Sequence, residues 1–344
     1  MSSKKILITG ATGFIGAYLV RYLLKQGHTN LRCMKQRTSS MALLHGVADQ
    51  VEWVDADLLD LAALEAALDG VQQVFHCAAV VSFQAKDSRK MLKINAIGTA
   101  NIVNLALEMG VKKLLHVSSI AAIGRKPNDP NIDEKTAWQD DGWNSPYGIS
   151  KHQAEMEVWR GIAEGLNAVI VNPANVLGSG FWEGRTSTGQ IFHKIWKGLR
   201  FYPQGTTGFV DVRDVVRFMA LLMESGMRGE RYILSAENWP FKRLFDEIAT
   251  SLGVKPPSVG VTPLIRELAW RAAWLAGKLT DKPPFITKQT ARSSARSFFY
   301  VNKKSLAAFP FEYISISQTI QETAEQFLRG AKNNFEPAVL PFHD

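Results

Sequence analysis

Short apolar runs alternate with helix-length segments through the first half of the chain. Lys5–Thr9, Leu31–Lys35, Val51–Val54, Val74–Cys77, Lys113–Val117 and Ala168–Val171 read as strands, each free of turn residues. Such βαβα alternation, with strands apolar on both faces, predicts an α/β fold in which a doubly wound parallel sheet carries helices on either side. Beyond Pro173 the pattern becomes irregular. Gly178, Gly180, Gly184 and Gly189 suggest a long loop, and Pro-Pro pairs stand at 256–257 and 283–284. The pattern divides the chain into a sheet domain over 1–175 and a smaller C-terminal lobe over 176–344, with segments around 209–235 returning to the first domain.

The bulk numbers narrow the class. The 344 residues are 46% hydrophobic and 21% charged, an ordinary globular balance with length enough for a large core. No apolar run approaches the ~18 residues that span a bilayer, and Met-Ser-Ser-Lys-Lys leads directly into the first strand, so a cytoplasmic location is expected. Cys33 and Cys77 both lie in apolar strand-like segments, and the seven histidines show no ligand spacing; neither a disulfide framework nor a metal site is indicated.

The formal charge of +8 is unevenly spread. Arg266, Arg271, Lys278, Lys282, Lys288, Arg292, Arg296, Lys303 and Lys304 face only Glu267 and Asp281 in the stretch 261–304. A solvated basic face is the plain reading, and attraction to an anionic membrane surface the alternative. No helix-turn-helix or other recognition motif accompanies it, so no nucleic acid is expected. Projected at the helical period, 264–279 places Leu264, Ile265, Leu268, Leu275 and Leu279 on one face. Trp270 and Trp274 fall opposite, among Arg266, Glu267, Arg271 and Lys278. A pocket lid, a homodimer contact or a peripheral membrane contact would each cover two such tryptophans.

Two segments carry chemistry. The first strand runs into Gly10-Ala11-Thr12-Gly13-Phe14-Ile15-Gly16, followed by a helix from Tyr18 to Gln26 that Gly27 can end. Glycines there let the backbone turn tightly and approach a pyrophosphate, while the helix N-terminus offers it N–H groups and a positive dipole end. A Rossmann-type dinucleotide site follows. Where a carboxylate usually binds the adenosine ribose, this chain has Lys35-Gln36-Arg37, which favours NADP over NAD, with Lys35 and Arg37 as 2′-phosphate partners.

The second segment is Ser145-Pro146-Tyr147-Gly148-Ile149-Ser150-Lys151. Ser145 suits an N-cap and Pro146 the first helical position, which sets Tyr147 and Lys151 side by side at i and i+4. A phenol with an ordinary pKa near 10 exchanges protons usefully at neutral pH only beside a cation. Ser119, ending the fifth strand where α/β sheets place ligands, would hold a substrate oxygen; Ser118 reads as a structural hydroxyl.

Taken together, the G-x-x-G-x-x-G turn, Ser119, Tyr147 and Lys151 resemble the extended short-chain dehydrogenases/reductases, the epimerase/dehydratase superfamily. The resemblance implies that Tyr147 is the general acid/base and that Lys151 lowers its pKa and binds the nicotinamide ribose. It further implies that Asn95 is a structural or proton-relay residue, that Asp57 and Leu58 lie against the adenine, and that Cys77, Ala78 and Ala79 pass close to the cofactor. Pro173 and Val176 would pack on the nicotinamide, with Thr12, Phe14 and Ile15 completing the glycine turn. Phe209–Val215 matches a later family signature.

The aromatic residues Phe181, Trp182, Phe192, Trp196, Phe201 and Tyr202 are either pocket lining or core. With the tryptophan helix, which resembles that of 3β-hydroxysteroid dehydrogenase-like and dihydroflavonol reductase-like members, they favour a bulky apolar carbonyl or alcohol as substrate. The alternatives are a nucleotide-sugar epimerase or dehydratase, to which Asn175 gives some support, and a non-catalytic NADP-sensing regulator.

Overall fold

A computed structural model describes residues 4–82, 84–125, 129–140, 144–182, 187–265, 267–268, 270–271, 291 and 293–342. Seven strands form one wholly parallel sheet: β1 (Ile6–Thr9), β2 (Leu31–Lys35), β3 (Glu52–Asp55), β4 (Gln73–His76), β5 (Lys113–Val117), β6 (Ala168–Pro173) and β7 (Glu230–Leu234). Their spatial order is β7-β6-β5-β4-β1-β2-β3. The six strands expected from the apolar runs are all present, shifted at most by a residue or two. The seventh, with Tyr232, Ile233 and Leu234 buried, hydrogen-bonds beside β6.

Both faces of the sheet are covered, as strands without polar alternation require. Ile6, Ile8, Phe75, Leu115 and Val169 pack toward α1 (Phe14–Lys25) and Val212–Glu224, whereas Leu7, Val74, Leu114 and Ala168 pack toward α2 (Leu61–Leu68) and α3 (Gly98–Glu108). On that second face α4 (Pro146–Ala163) also lies, its first turn capped by the Ser145 hydroxyl, which accepts the Gly148 N–H at 2.9 Å. Because every strand runs the same way, Thr9, His76, Val117 and Pro173 end at one edge of the sheet, where the order reverses between β1 and β4.

A second, three-stranded sheet of Asn175–Leu177, Thr206–Asp211 and Glu237–Pro240 is accompanied by helices α5 (Ser187–Trp196), α7 (Phe241–Ser251) and α8 (Ile316–Lys332), whereas α6 (Val212–Glu224), between them in the chain, packs on the large sheet. The smaller sheet has its own core, which contains Trp182, Phe192, Trp239, Phe245 and Phe327. Trp182 and Phe192 are therefore core, not pocket lining, while Phe201 is exposed. Within the Phe209–Val215 segment, Arg213 is buried and grips both oxygens of Asp211, which also accepts the Thr319 hydroxyl of α8 at 2.7 Å.

Three expectations are corrected. Helix α1 begins at Phe14, four residues earlier than its apolar periodicity indicates, because the glycine turn leads straight into it; Gly27 with φ 83° ends it as expected. Gly189 is not in a loop but inside α5, where a Cβ would lie 2.1 Å from the Phe181 carbonyl oxygen, so glycine permits the close approach. In the helical stretch after Val261, Leu264 and Leu268 are exposed while Trp270 is half-buried with its indole N–H on Glu267. Arg266, Trp274, Leu275, Lys278 and Leu279 lie outside the described residues.

Candidate active site

The turn after β1 closes on itself. Gly10 has φ 65°, and a Cβ there would stand 2.7 Å from the Ala78 backbone; one on Gly16 would stand 2.2 Å from the Gly10 carbonyl oxygen. Gly13 is exposed and donates its N–H to the Gly10 oxygen at 2.9 Å. No side chain caps the first turn of α1 and no acidic residue stands in it, which leaves the N–H groups of that turn for an anion. Thr12 and Ile15 are half-buried at the turn; Phe14 turns its ring away, edge-on to Tyr18 at 5.5 Å and against Gly178 and Gly180. This cradle fits the pyrophosphate of a dinucleotide.

At the adenosine end, Lys35 pairs with Asp55 at 2.6 Å, and Gln36 donates to Asp57 at 3.0 Å. Arg37 is exposed without an ion pair among the described residues. Asp57 also receives the Leu59 N–H, and Leu58 is buried against Gly98. On the other side of the turn Cys77 and Ala78 are half-buried and Ala79 is exposed, with the Ala78 N–H donated to Thr9 Oγ1 at 3.2 Å.

Ser119, Tyr147 and Lys151 meet at the end of β5. The Ser119 hydroxyl stands beside Tyr147 and accepts the Ala121 N–H at 3.1 Å. Burial pushes the Tyr147 phenol above its ordinary pKa, and the neighbouring Ser119 hydroxyl only partly offsets this. The expectation that Lys151 makes Tyr147 more acidic is therefore corrected for this geometry. Lys151, 1% exposed, donates instead to the Val117 carbonyl at 2.8 Å. Its own pKa is pushed down to about 8 by burial, against which the Glu155 carboxylate pulls upward. Pro173 ends β6, and Val176 follows in the strand that pairs with Val210. Asn175 donates to Thr207 and to the Gly208 carbonyl, both at 3.0 Å.

Asn95 lies in a π-helical turn, Leu92–Ile97, that precedes α3. Its amide clasps the Val80 backbone in both directions, at 2.7 and 2.9 Å, and donates to Ser150 at 3.0 Å. It therefore fastens the segment after Ala79 to helix α4. Beneath it runs a buried row not anticipated from sequence: Thr9 and Thr99 flank His76 at 2.8 and 2.9 Å, and Thr99 donates to the Asn95 carbonyl at 2.5 Å. Since Thr99 spends its hydroxyl proton on Asn95, it accepts from His76, which puts a proton on Nε2; with the ring kept neutral by burial, Nδ1 accepts from Thr9. Its pKa is pushed down to about 3 by burial. His116 lies beside it at 5.2 Å between ring centres.

Glu155 was likewise missed. It is fully buried and collects the Ser118 hydroxyl, the Asn172 amide and the Arg231 guanidinium at 2.7, 2.8 and 2.8 Å. Its position four residues after Lys151 was the available signal, since that spacing repeats the helix face already carrying Tyr147.

Residues 6–235 match the NAD dependent epimerase/dehydratase family. The chain is 33% identical over 263 residues to sterol demethylase protein B of Methylococcus capsulatus, covering 76% of this chain and 78% of that one. It is 31% identical to cinnamoyl-CoA reductase 1 of Petunia hybrida, covering 68% and 73% respectively. The crystal structure of gox2253 superposes with a TM-score of 0.81 at 30% identity, over 96% of this chain and 99% of that chain.

Proposed function

Because the chain belongs to the NAD dependent epimerase/dehydratase family, as an extended short-chain dehydrogenase/reductase, we propose that it interconverts a carbonyl and a hydroxyl on a bulky, largely apolar small molecule. The observation that carries this reading is the meeting of Ser119, Tyr147 and a buried Lys151 at the sheet edge that also holds the glycine turn. A bound nicotinamide supplies or accepts the hydride. The pyrophosphate would be held by Gly10, Thr12, Gly13, Phe14, Ile15 and Gly16, with Cys77, Ala78 and Ala79 alongside and Asp57 and Leu58 toward the adenine. Pro173 and Val176 would back the nicotinamide. Arg37, exposed and without an ion pair among the described residues, supports NADP over NAD; Lys35 must first leave Asp55, an exposed pair that costs about 0–1 kcal/mol to break.

Within the site, Ser119 holds the substrate oxygen and Tyr147 exchanges a proton with it. Buried Lys151, held on the Val117 carbonyl, would offer its ammonium to the cofactor ribose, and Asn95 fastens the segment after Ala79 to the same helix. The similarity to sterol demethylase protein B and cinnamoyl-CoA reductase 1, whose names carry a sterol and an aromatic acyl group, favours a reacting group that is bulky and apolar over a sugar ring. Residues 1–175 would then serve the cofactor and 176–344 mainly the substrate. Leu264 and Leu268, 71% and 59% exposed, support a covering surface for that helix, either lipid or a second copy of the chain.

The test is Tyr147→Phe, measured by the stoichiometric change in cofactor absorbance with apolar ketones. Turnover should fall about 10²–10⁴-fold with cofactor affinity kept. Unchanged turnover would remove the assignment, and a wild-type reaction on a sugar nucleotide without net absorbance change would favour the epimerase.

A further inference from the structure

A buried carboxylate is costly unless it answers a charge, and a neutral side chain could pack the space more cheaply. Glu155 sits on α4 one helical turn beyond Lys151 with none of its side chain exposed. Its Oε2 accepts from Ser118 Oγ at 2.7 Å and Asn172 Nδ2 at 2.8 Å; its Oε1 accepts from Arg231 Nη1 at 2.8 Å and Trp159 Nε1 at 3.3 Å. Asn172 Nδ2 also donates to the Ser119 carbonyl at 3.0 Å, and Lys151 holds the Val117 carbonyl at 2.8 Å. Lys151 and Glu155 together thus grip three consecutive residues, 117 to 119, from one helix face.

Resting on the reading of the site given above, we infer that Glu155 is a positioning residue that keeps Lys151 charged and Ser119 in place, with Arg231 setting how much of its charge reaches Lys151. The surroundings of Lys151 leave this task to Glu155. From β4 and its end, His76 and Cys77 face the ammonium, and from β5, His116; burial holds all three neutral, with the Cys77 thiol pushed up to about 12. Tyr147, on the same helix, is neutral as well. On the far side of Glu155, Arg231 from β7 draws the carboxylate away from Lys151, and His152 on α4 responds to both. Arg231 is itself anchored by the Glu134 carbonyl, which accepts its Nε at 2.8 Å. Removing the anion should make Lys151 lose its proton at lower pH, and removing Arg231 should have the opposite effect.

The experiment measures the affinity of the full chain for NADH and NADPH, by tryptophan fluorescence, from pH 6.5 to 9.5 in the wild type, Glu155→Gln and Arg231→Gln. Wild-type affinity should weaken above a midpoint near the Lys151 value of about 8. In Glu155→Gln the midpoint should move down by about one pH unit, which amounts to roughly a tenfold weaker affinity on the alkaline limb, with affinity at pH 6.5 close to wild type. Arg231→Gln should move the midpoint upward. If Glu155→Gln does not fold, as judged by circular dichroism, the sign of the Arg231→Gln shift decides the matter alone. A constant loss at every pH, or midpoints that stay together, would overturn the role of Glu155. A wild type that binds neither cofactor at any pH would instead overturn the reading of the site.

Discussion

Replacing His116 by leucine should make the protein less sensitive to acid. His76 and His116 are both fully buried in the row under the catalytic centre. Among the described residues neither ring nitrogen of His116 has a hydrogen-bond partner. Burial lowers the pKa of His116 well below the ordinary 6.5 and that of His76 to about 3, so both rings stay neutral in the folded state at pH 5. In the unfolded chain each ring takes up a proton below pH 6.5. The unfolded state then binds more protons, and stability falls as pH falls, by about 1.4 kcal/mol per pH unit for each ring. Between pH 7 and 5 the pair should cost about 4 kcal/mol, half of it from His116. Leucine matches the volume of the ring and removes the titration, so the variant should lose about 2 kcal/mol less than wild type over that interval. For a chain of this length that difference corresponds to roughly 3 °C in Tm. Carboxylates elsewhere titrate alike in both proteins and cancel. Thermal scans of both proteins at pH 7 and 5 provide the measurement. If the two lose the same Tm on acidification, the buried-neutral account of His116 is wrong.

Two other perturbations address the cofactor site. Gly16→Ala places a Cβ 2.2 Å from the Gly10 carbonyl oxygen, against backbone that cannot yield without opening the turn; dinucleotide affinity, read by fluorescence titration, should drop at least about tenfold while the helix content is kept. Arg37→Ala should weaken NADPH by about 1–3 kcal/mol and leave NADH nearly unchanged; equal losses for both would remove Arg37 from the 2′-phosphate.

Much of this architecture was legible in the chain. Parallel strands buried on both faces cannot alternate polar with apolar residues, so their runs stand out, and glycines forced by backbone contact mark the cofactor turn whatever lies around it. The Ser145 cap and Pro146 start α4, and from that start Tyr147 and Lys151 share a face by helix geometry alone. These are local consequences of backbone sterics and hydrogen bonding.

What only the tertiary structure decided is which polar side chains would be charged and where they would point. Thr9, His76, Thr99 and His116 come from three strands and a helix, and nothing local announces that they form one buried row. Lys151 turned out to hold a strand carbonyl, with Tyr147 raised rather than lowered in pKa, because burial by distant segments outweighs the lowering influence of Ser119. Desolvation depends on everything packed around a group, and that packing exists only after strands far apart in sequence have met.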